Sequence, residues 1–343
     1  MLSAHRSWFI LGILVGCLLA SAGFAAITRL GKSSGSTDSV VKARVLKLAH
    51  PLDAAHPNHL AAVRMAEELD KLSNGAMKLD IYPAGVLGSA GQTIEQLQGG
   101  TLDLSVVSAA ELEAFVPALG ILGLPYVFRD REHYWRVLDG AIGEEFLALT
   151  VPARLRGLAF FDAGSRSFYT KTRPVWSVAD LAGLKIRVMN SRISMEMVSA
   201  LGASPTPIAW GELYSALAQG TVDGAENNPP SYMANKHNEV APFFTLDHHT
   251  RIPDLILVSE ATWGRLDEPS RTALREAAHR ASAFQRELWA TMTEEALQRA
   301  RASGVEVITL TDDREFRERT QSLRDAAAKT PAGSLLERIE SEP

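Results

Sequence analysis

Apolar and polar positions along the chain fall into short alternating blocks. Val45 to Ala49, VLKLA, predicts a strand. Pro57 to Leu72 follows with helical spacing, which puts Leu60, Val63, Ala66 and Leu69 on one face. An Asn-Gly pair at Asn74 turns the chain, and Met77 to Pro83, MKLDIYP, predicts a second strand. Thr93 to Leu97 is a short helix closed by Gly99 and Gly100, and the apolar TLDLSVVS from Thr101 to Ser108 is a buried strand. Strand and helix in alternation predict a parallel α/β sheet.

The same order returns further on. KIRV (Lys185 to Val188) reads as a strand and Ser194 to Leu201 as a helix, and LAQGTVD (Leu217 to Asp223) repeats the Leu, Gly, Thr and Asp of LQGGTLD (Leu97 to Asp103) at the same offsets. Two similar α/β lobes follow from this repetition. After the strand Leu255 to Ser259, no Gly or further Pro interrupts Pro269 to Arg301. At 1.5 Å per residue that stretch makes either one helix of about 45 Å, long enough to run under both lobes, or two helices with a bend. Gly304 stops it, VEVITL is a further strand, and a polar helix with a frayed tail ends the chain.

Length and charge leave this picture intact. The chain has 343 residues, a length that suits about two domains, and a net charge of -5. It has no clustered basic face, so nucleic acid is not an expected partner. Arg6 precedes an apolar run from Trp8 to Ile27 that ends among small residues, the pattern of an export signal. The run is also long enough for an uncleaved anchor, and LVGC ending at Cys17 has some likeness to a lipoprotein cleavage box. Cys17 is the only cysteine, so a processed chain would have no disulfide, thiolate-bound metal or thiol nucleophile. Gly31 to Ser39 reads as a flexible leader. The sequence has no P-loop, zinc-protease helix or nucleophile elbow, so neither an enzyme nor a cofactor is expected. His50, His56 and His59 crowd one loop, but proline-broken spacing and a single acidic neighbour, Asp53, argue against a metal.

One short stretch carries unusual chemistry. In GLKIRVMNS (Gly183 to Ser191) a cation, Arg187, interrupts an apolar strand, so it points either into solvent or into a cleft. This stretch, with YPAGVLGSAGQTIEQLQGGTLDLS, LPYVFRDREHYWRVLDG and LGASPTPIAWGELYSALAQGTVDGAENNPPS, resembles the substrate-binding proteins of TRAP transporters from about Val45 to beyond Arg301. The resemblance implies two α/β lobes of the periplasmic-binding-protein kind, a hinge, and a long helix spanning both. It also implies capture of a small organic acid in the periplasm and delivery to a membrane permease.

The resemblance assigns Arg187 to the ligand carboxylate, for which a planar guanidinium offers two parallel N–H donors; a salt bridge within its lobe is the alternative. It places Asn227 beside the ligand, where an amide both donates and accepts, and Arg166 at the ligand's polar end, with a hinge salt bridge as the alternative. Ser108, after the first-lobe strand, and Trp210, as an apolar wall, complete the set. Ser89, Ala90 and Gly91 stand where many relatives carry charged residues, so Gln92 or Glu95 is expected to substitute for them. His56 or Asn58 is a candidate for a ligand hydroxyl. AENNPPSYMANKH and DHHTRIPDLILVS resemble the hexuronate branch (glucuronate or galacturonate), with C4-dicarboxylates, 2-keto acids and other sugar acids left open. The expected organisation is a signal peptide over 1–26 and a leader over 27–43. The first lobe takes 44–162 plus about 253–285, and the second 163–252 plus about 286–335. A membrane-anchored ligand-sensing ectodomain is the competing reading. Intact mass of the exported protein separates the two: retention of about the first 22 residues favours the anchored sensor, and their loss the exported binding protein.

Overall fold

The computed structural model describes residues 43–343; the apolar run, the leader and Cys17 lie outside the described residues. Among the described residues eleven strands form two sheets: β1 (Arg44–Ala49), β2 (Met77–Tyr82), β3 (Leu104–Ser108), β4 (Leu155–Phe161), β5 (Arg166–Thr170), β6 (Lys185–Val188), β7 (Ser204–Pro207), β8 (Gly224–Asn227), β9 (Phe243–Thr250), β10 (Asp254–Ser259) and β11 (Glu306–Thr309). The first sheet has the order β2-β1-β3-β10-β4 and the second β11-β9-β5-β8-β6-β7. Helices pack on both, giving the two-lobed α/β architecture.

The sheets are mixed rather than parallel. β10 runs antiparallel to β3 and β4, and β5 antiparallel to β8 and β9. The chain crosses between lobes from β4 to β5 and again from β9 to β10. A strand arriving from the other lobe enters its sheet from the side where β3 and β8 end, so it must run against them. The alternating pattern marks each strand but carries no information about this return.

The repeated heptapeptide is a repeated structure. Gly100 and Gly220 close their helices in the same left-handed conformation, at φ 73° and 74°. Asp103 Oδ2 then accepts from the Lys47 backbone N–H at 3.0 Å, and Asp223 Oδ2 from that of Lys185 at 2.8 Å. Each aspartate therefore ties the turn before one strand to its parallel neighbour, β1 in the first lobe and β6 in the second.

Glu268–Ala302 is a single helix of 35 residues, about 50 Å long. It packs on helix Pro57–Leu72 and β4 of the first lobe and on helix Pro229–Ala234 and β11 of the second. Its small residues Ala273, Ala277, Ala278 and Ala281 meet Ala61, Ala62, Met65 and Leu69. Close approach of the two helices thus selects the alanine face of Pro57–Leu72, and Leu60 and Val63 are left 38% exposed, contrary to the apolar face expected from spacing. The chain end is not frayed either. Helix Gly333–Ser341 buries Leu335, Leu336 and Ile339 and packs on helix Ala141–Ala148.

Gly164, in the first crossing, joins this helix to the cleft region. Its φ is +59°, and an added Cβ would lie 2.6 Å from Trp289 Nε1. Gly164→Ala should cost about 1–2 kcal/mol from the left-handed backbone alone, with displacement of the indole in addition, read as a fall in the urea midpoint. Gly264, with open space around it and no left-handed backbone, is the control. Its alanine variant should be unchanged or stabilised by up to about 1 kcal/mol.

Candidate functional site: a cleft lined by an unpaired buried arginine

The carboxyl ends of β1, β3, β6, β7 and β8 face one cleft of about 680 Å³. Ligands settle outside such strand ends because the loops there leave backbone and side-chain polar groups unpaired. Pro51 follows β1, Ser108 ends β3, Met189 follows β6, Ile208 follows β7 and Asn227 ends β8, and all line the cleft. The loop Ala84–Gln92 forms part of the rim. There Gly88, at φ +121°, leaves room for Gln92, whose Oε1 an added Cβ would approach to 2.8 Å.

Arg187 lies between Thr206 of β7 and Ala225 of β8 and is 1% exposed. Its Nε donates to the Ile208 carbonyl at 2.8 Å, and its Cζ lies 5.8 Å from the Trp210 ring. Nη1 is buried with no hydrogen-bond partner, and no carboxylate pairs with the side chain. Burial holds its pKa below the usual guanidinium range. Leaving a buried charged donor unmet costs several kcal/mol, so the site is incomplete without an anion.

Arg166 also lines the cleft, but its charge is spent. Its Nε and Nη2 grip the Glu226 carboxylate at 2.5 and 2.9 Å, and Nη2 also donates to the Glu226 carbonyl at 2.8 Å. Nη1 donates to Asn227 Oδ1 at 2.9 Å. Of five guanidinium N–H groups one remains. The hinge salt bridge given as the alternative is present: Glu226, one residue before Asn227 on β8, neutralises Arg166.

Asn227 ends β8 at the cleft. Its Oδ1 accepts from both Arg166 and the Asn228 backbone, which leaves the amide N–H groups to donate into the cleft. The Ser108 hydroxyl makes no bond to the short helix it precedes and borders the cleft. Trp210 forms a wall, its ring edge-on to His237 at 5.1 Å and its Nε1 unpartnered.

His56 reaches the cleft with both nitrogens engaged. Nδ1 accepts from the Asn58 backbone N–H at 3.1 Å, so Nε2 carries the proton that it donates to Ser231 Oγ, also at 3.1 Å. It links the lobes rather than offering a free group to a ligand, and burial lowers its pKa to about 3, keeping it neutral. Glu95 does not border the cleft: it is exposed on helix Ala90–Gly99. Capping that helix turns Gln92, not Glu95, toward the rim. His50 Nε2 and His59 Nδ1 share a hydrogen bond of 3.0 Å. Among the described residues no three His, Cys, Asp or Glu side chains gather as metal ligands.

Sequence reasoning missed Asp254 and Ser231, both in the cleft wall. For Asp254 a signal existed: RIPDLILVS sets one acid at the head of an apolar strand, the mirror of the Arg187 anomaly.

Behind Arg166 the charges alternate. His249 Nδ1 meets Asp247 Oδ2 at 2.7 Å, and its Nε2 meets Glu226 Oε2 at 3.4 Å. Burial pulls the His249 pKa down, but Asp247 and Glu226 reverse this and push it up to about 9. The Glu226 carboxyl, which burial alone would raise, is held at about 2 by Arg166 and His249. Because the folded pKa of His249 exceeds its unfolded value of about 6.5, its stabilisation is full below about pH 6.5 and is lost as pH rises through about 9. The urea midpoint should fall across that window, and His249→Gln should flatten the slope. An unchanged slope would mean that His249 is neutral in the fold.

Comparison with known proteins agrees with this architecture. The family model described as "Bacterial extracellular solute-binding protein, family 7" (DctP) matches residues 48–330. A solute-binding protein of Chromohalobacter salexigens is 36% identical over 276 residues, 80% of this chain and 82% of the relative. A TRAP periplasmic solute-binding protein of Bradyrhizobium, solved with galacturonate, superimposes with a TM-score of 0.85 at 39% identity, covering 87% of this chain and 99% of that one. Another from Chromohalobacter salexigens, solved with D-glucuronate, gives 0.84 at 33% identity, covering 87% and 100%. The chain belongs to the DctP family, the solute-binding proteins of TRAP transporters.

Proposed function

We propose that this protein captures a hexuronate, glucuronate or galacturonate, and delivers it to a TRAP membrane permease from the periplasm, with the apolar run near its start as the export signal. It acts as a receptor rather than as an enzyme. The observation that carries the reading is Arg187, buried with Nη1 unmet at the edge of the cleft. A carboxylate supplies that partner as a bidentate pair, and the Asn227 amide donates to the same group or to a neighbouring ring hydroxyl. Trp210 covers the pair on its apolar side. The galacturonate and glucuronate held by the two similar structures are acids of this shape. Closure of the lobes about the two crossings then excludes water and strengthens the pair.

A thermal-shift panel tests the reading. Glucuronate or galacturonate at about 100 times its dissociation constant should add roughly 2.7 kcal/mol to folded-state stability and raise the melting temperature by a few degrees. Glucose should leave it flat. Arg187→Ala should weaken uronate binding on the order of 10²-fold or more, because an ion pair in a desolvated site loses one partner. Arg187→Lys should rescue poorly, since an ammonium has no planar fork. A response to succinate or a keto acid with none to either uronate overturns the ligand assignment. An Arg187→Ala affinity within about threefold of the parent overturns the clamp.

A further inference from the structure

We propose that Asp254, with Ser108 beside it, is the selector of this site, admitting acids that carry hydroxyl groups and turning away dicarboxylates and keto acids. The inference rests on the reading of Arg187 as the carboxylate receptor and concerns the rest of the ligand.

Asp254 is the first residue of β10 and the register partner of Ser108, the last residue of β3. Residues directly opposite in an antiparallel pair share a face, with Cβ atoms about 5 Å apart. Both border the cleft. Asn58 Nδ2 donates to Asp254 Oδ2 at 2.6 Å, and Gln285 of the long helix fixes Asn58 in turn, through Nε2 to Oδ1 at 2.8 Å. One carboxylate oxygen is thus held from behind. Among the described residues no donor engages Oδ1, and none engages the Ser108 hydroxyl. This corner therefore needs hydrogen-bond donors. A ligand hydroxyl donates to Asp254 and still accepts from Ser108. A ketone has nothing to donate, and a second carboxylate would set like charge against like.

The surrounding charges do not offset this. Arg166 is taken up by Glu226. Arg187 stands on β6 of the second sheet and Asp254 on β10 of the first, so the clamp and the Asp254 corner belong to different walls of the cleft. Facing Asp254 are Asn58 from helix Pro57–Leu72, Ser108 from β3, Asp162 after β4 and Arg166 at the head of β5, and its charge is also felt by Tyr134 of helix Arg131–Asp139. Burial raises the Asp254 carboxyl to about 6, with the Asn58 bond and Arg166 opposing. A hydroxyl donated to it favours the ionised form and lowers that value, so a uronate bound near pH 6 should release protons. A dicarboxylate would favour the protonated form and take protons up.

Calorimetry at pH 6 in two buffers of different ionisation enthalpy reads this directly. The purified protein and its Asp254→Asn, Ser108→Ala and Arg187→Ala variants are titrated with galacturonate, glucuronate, succinate and pyruvate. The parent should bind a uronate with proton release and bind succinate at least about 100-fold more weakly. Asp254→Asn, which preserves shape and the Asn58 contact, should weaken uronate binding about 10- to 100-fold, abolish the proton release and narrow the gap to succinate. Ser108→Ala should weaken it about 3- to 10-fold with the proton release intact. If Arg187→Ala abolishes uronate binding while Asp254→Asn leaves affinity, selectivity and proton release unchanged, the selector is overturned and the receptor reading stands. If the parent binds succinate or pyruvate in preference to both uronates, the selector and the hexuronate assignment fall together, and the Arg187→Ala titration alone decides the clamp.

Discussion

The grip of Glu226 on Arg166 sets the electrostatics of the whole cleft. Two arginines project where the strands of the second lobe end, and two unpaired cations would favour a dianion or a phosphate. With one guanidinium neutralised by a carboxylate one residue before Asn227, Arg187 is the cation left open in the cleft among the described residues. The same grip orients Asn227 by using its oxygen, so the amide N–H groups face outward. Charge number and hydrogen-bond polarity are therefore fixed together by one buried ion pair. His249 and Asp247 extend it into an alternating series whose charges cancel.

The same region is where the lobes join. Asp162 and Arg166 flank the first crossing, and Thr250 and Asp254 the second. Gln285 of the long helix ties both, accepting from the Asp162 backbone N–H at 2.8 Å and reaching Asp254 through Asn58. Recognition groups thus stand on the backbone that must bend if the lobes move. A ligand that satisfies Arg187 from one wall and Asp254 from the other changes the balance between conformations by its differential contacts alone.

Much of this was legible in the sequence, for identifiable reasons. The positions of β1, β2, β3, β6, β10 and β11 and the uninterrupted stretch under the long helix follow from apolar runs and from the placing of Gly and Pro, which are local properties; β4, β5, β7 and β9 were not read from the pattern. Arg187 was legible because a cation in an apolar strand violates the local pattern, and such violations concentrate where function requires them. What escaped depends on partners far apart along the chain. The antiparallel entry of β10 and β5 reflects where the lobes meet. The buried face of Pro57–Leu72 is chosen by alanines more than 200 residues away. Arg166 and Arg187 look alike as letters, and only the placing of Glu226 separates a spent charge from an open one. Glu95 was expected to act because a charge was missing from its loop, but helix geometry turns it to solvent.

The paired aspartate ties at Asp103 and Asp223 have a consequence for the shape of recognition. They mark corresponding points in the two lobes, so β3 corresponds to β8, and Ser108 to Asn228, each five residues after its aspartate and directly before a short helix. The two faces of the cleft are then the same place in one strand order, β2-β1-β3-β10 in the first sheet and β7-β6-β8-β5 in the second. A small hydroxyl stands at that place on one face and an amide on the other. Divergence between two equivalent positions is enough to give the ligand a head and a tail, so an asymmetric molecule meets a site whose scaffold is nearly symmetric.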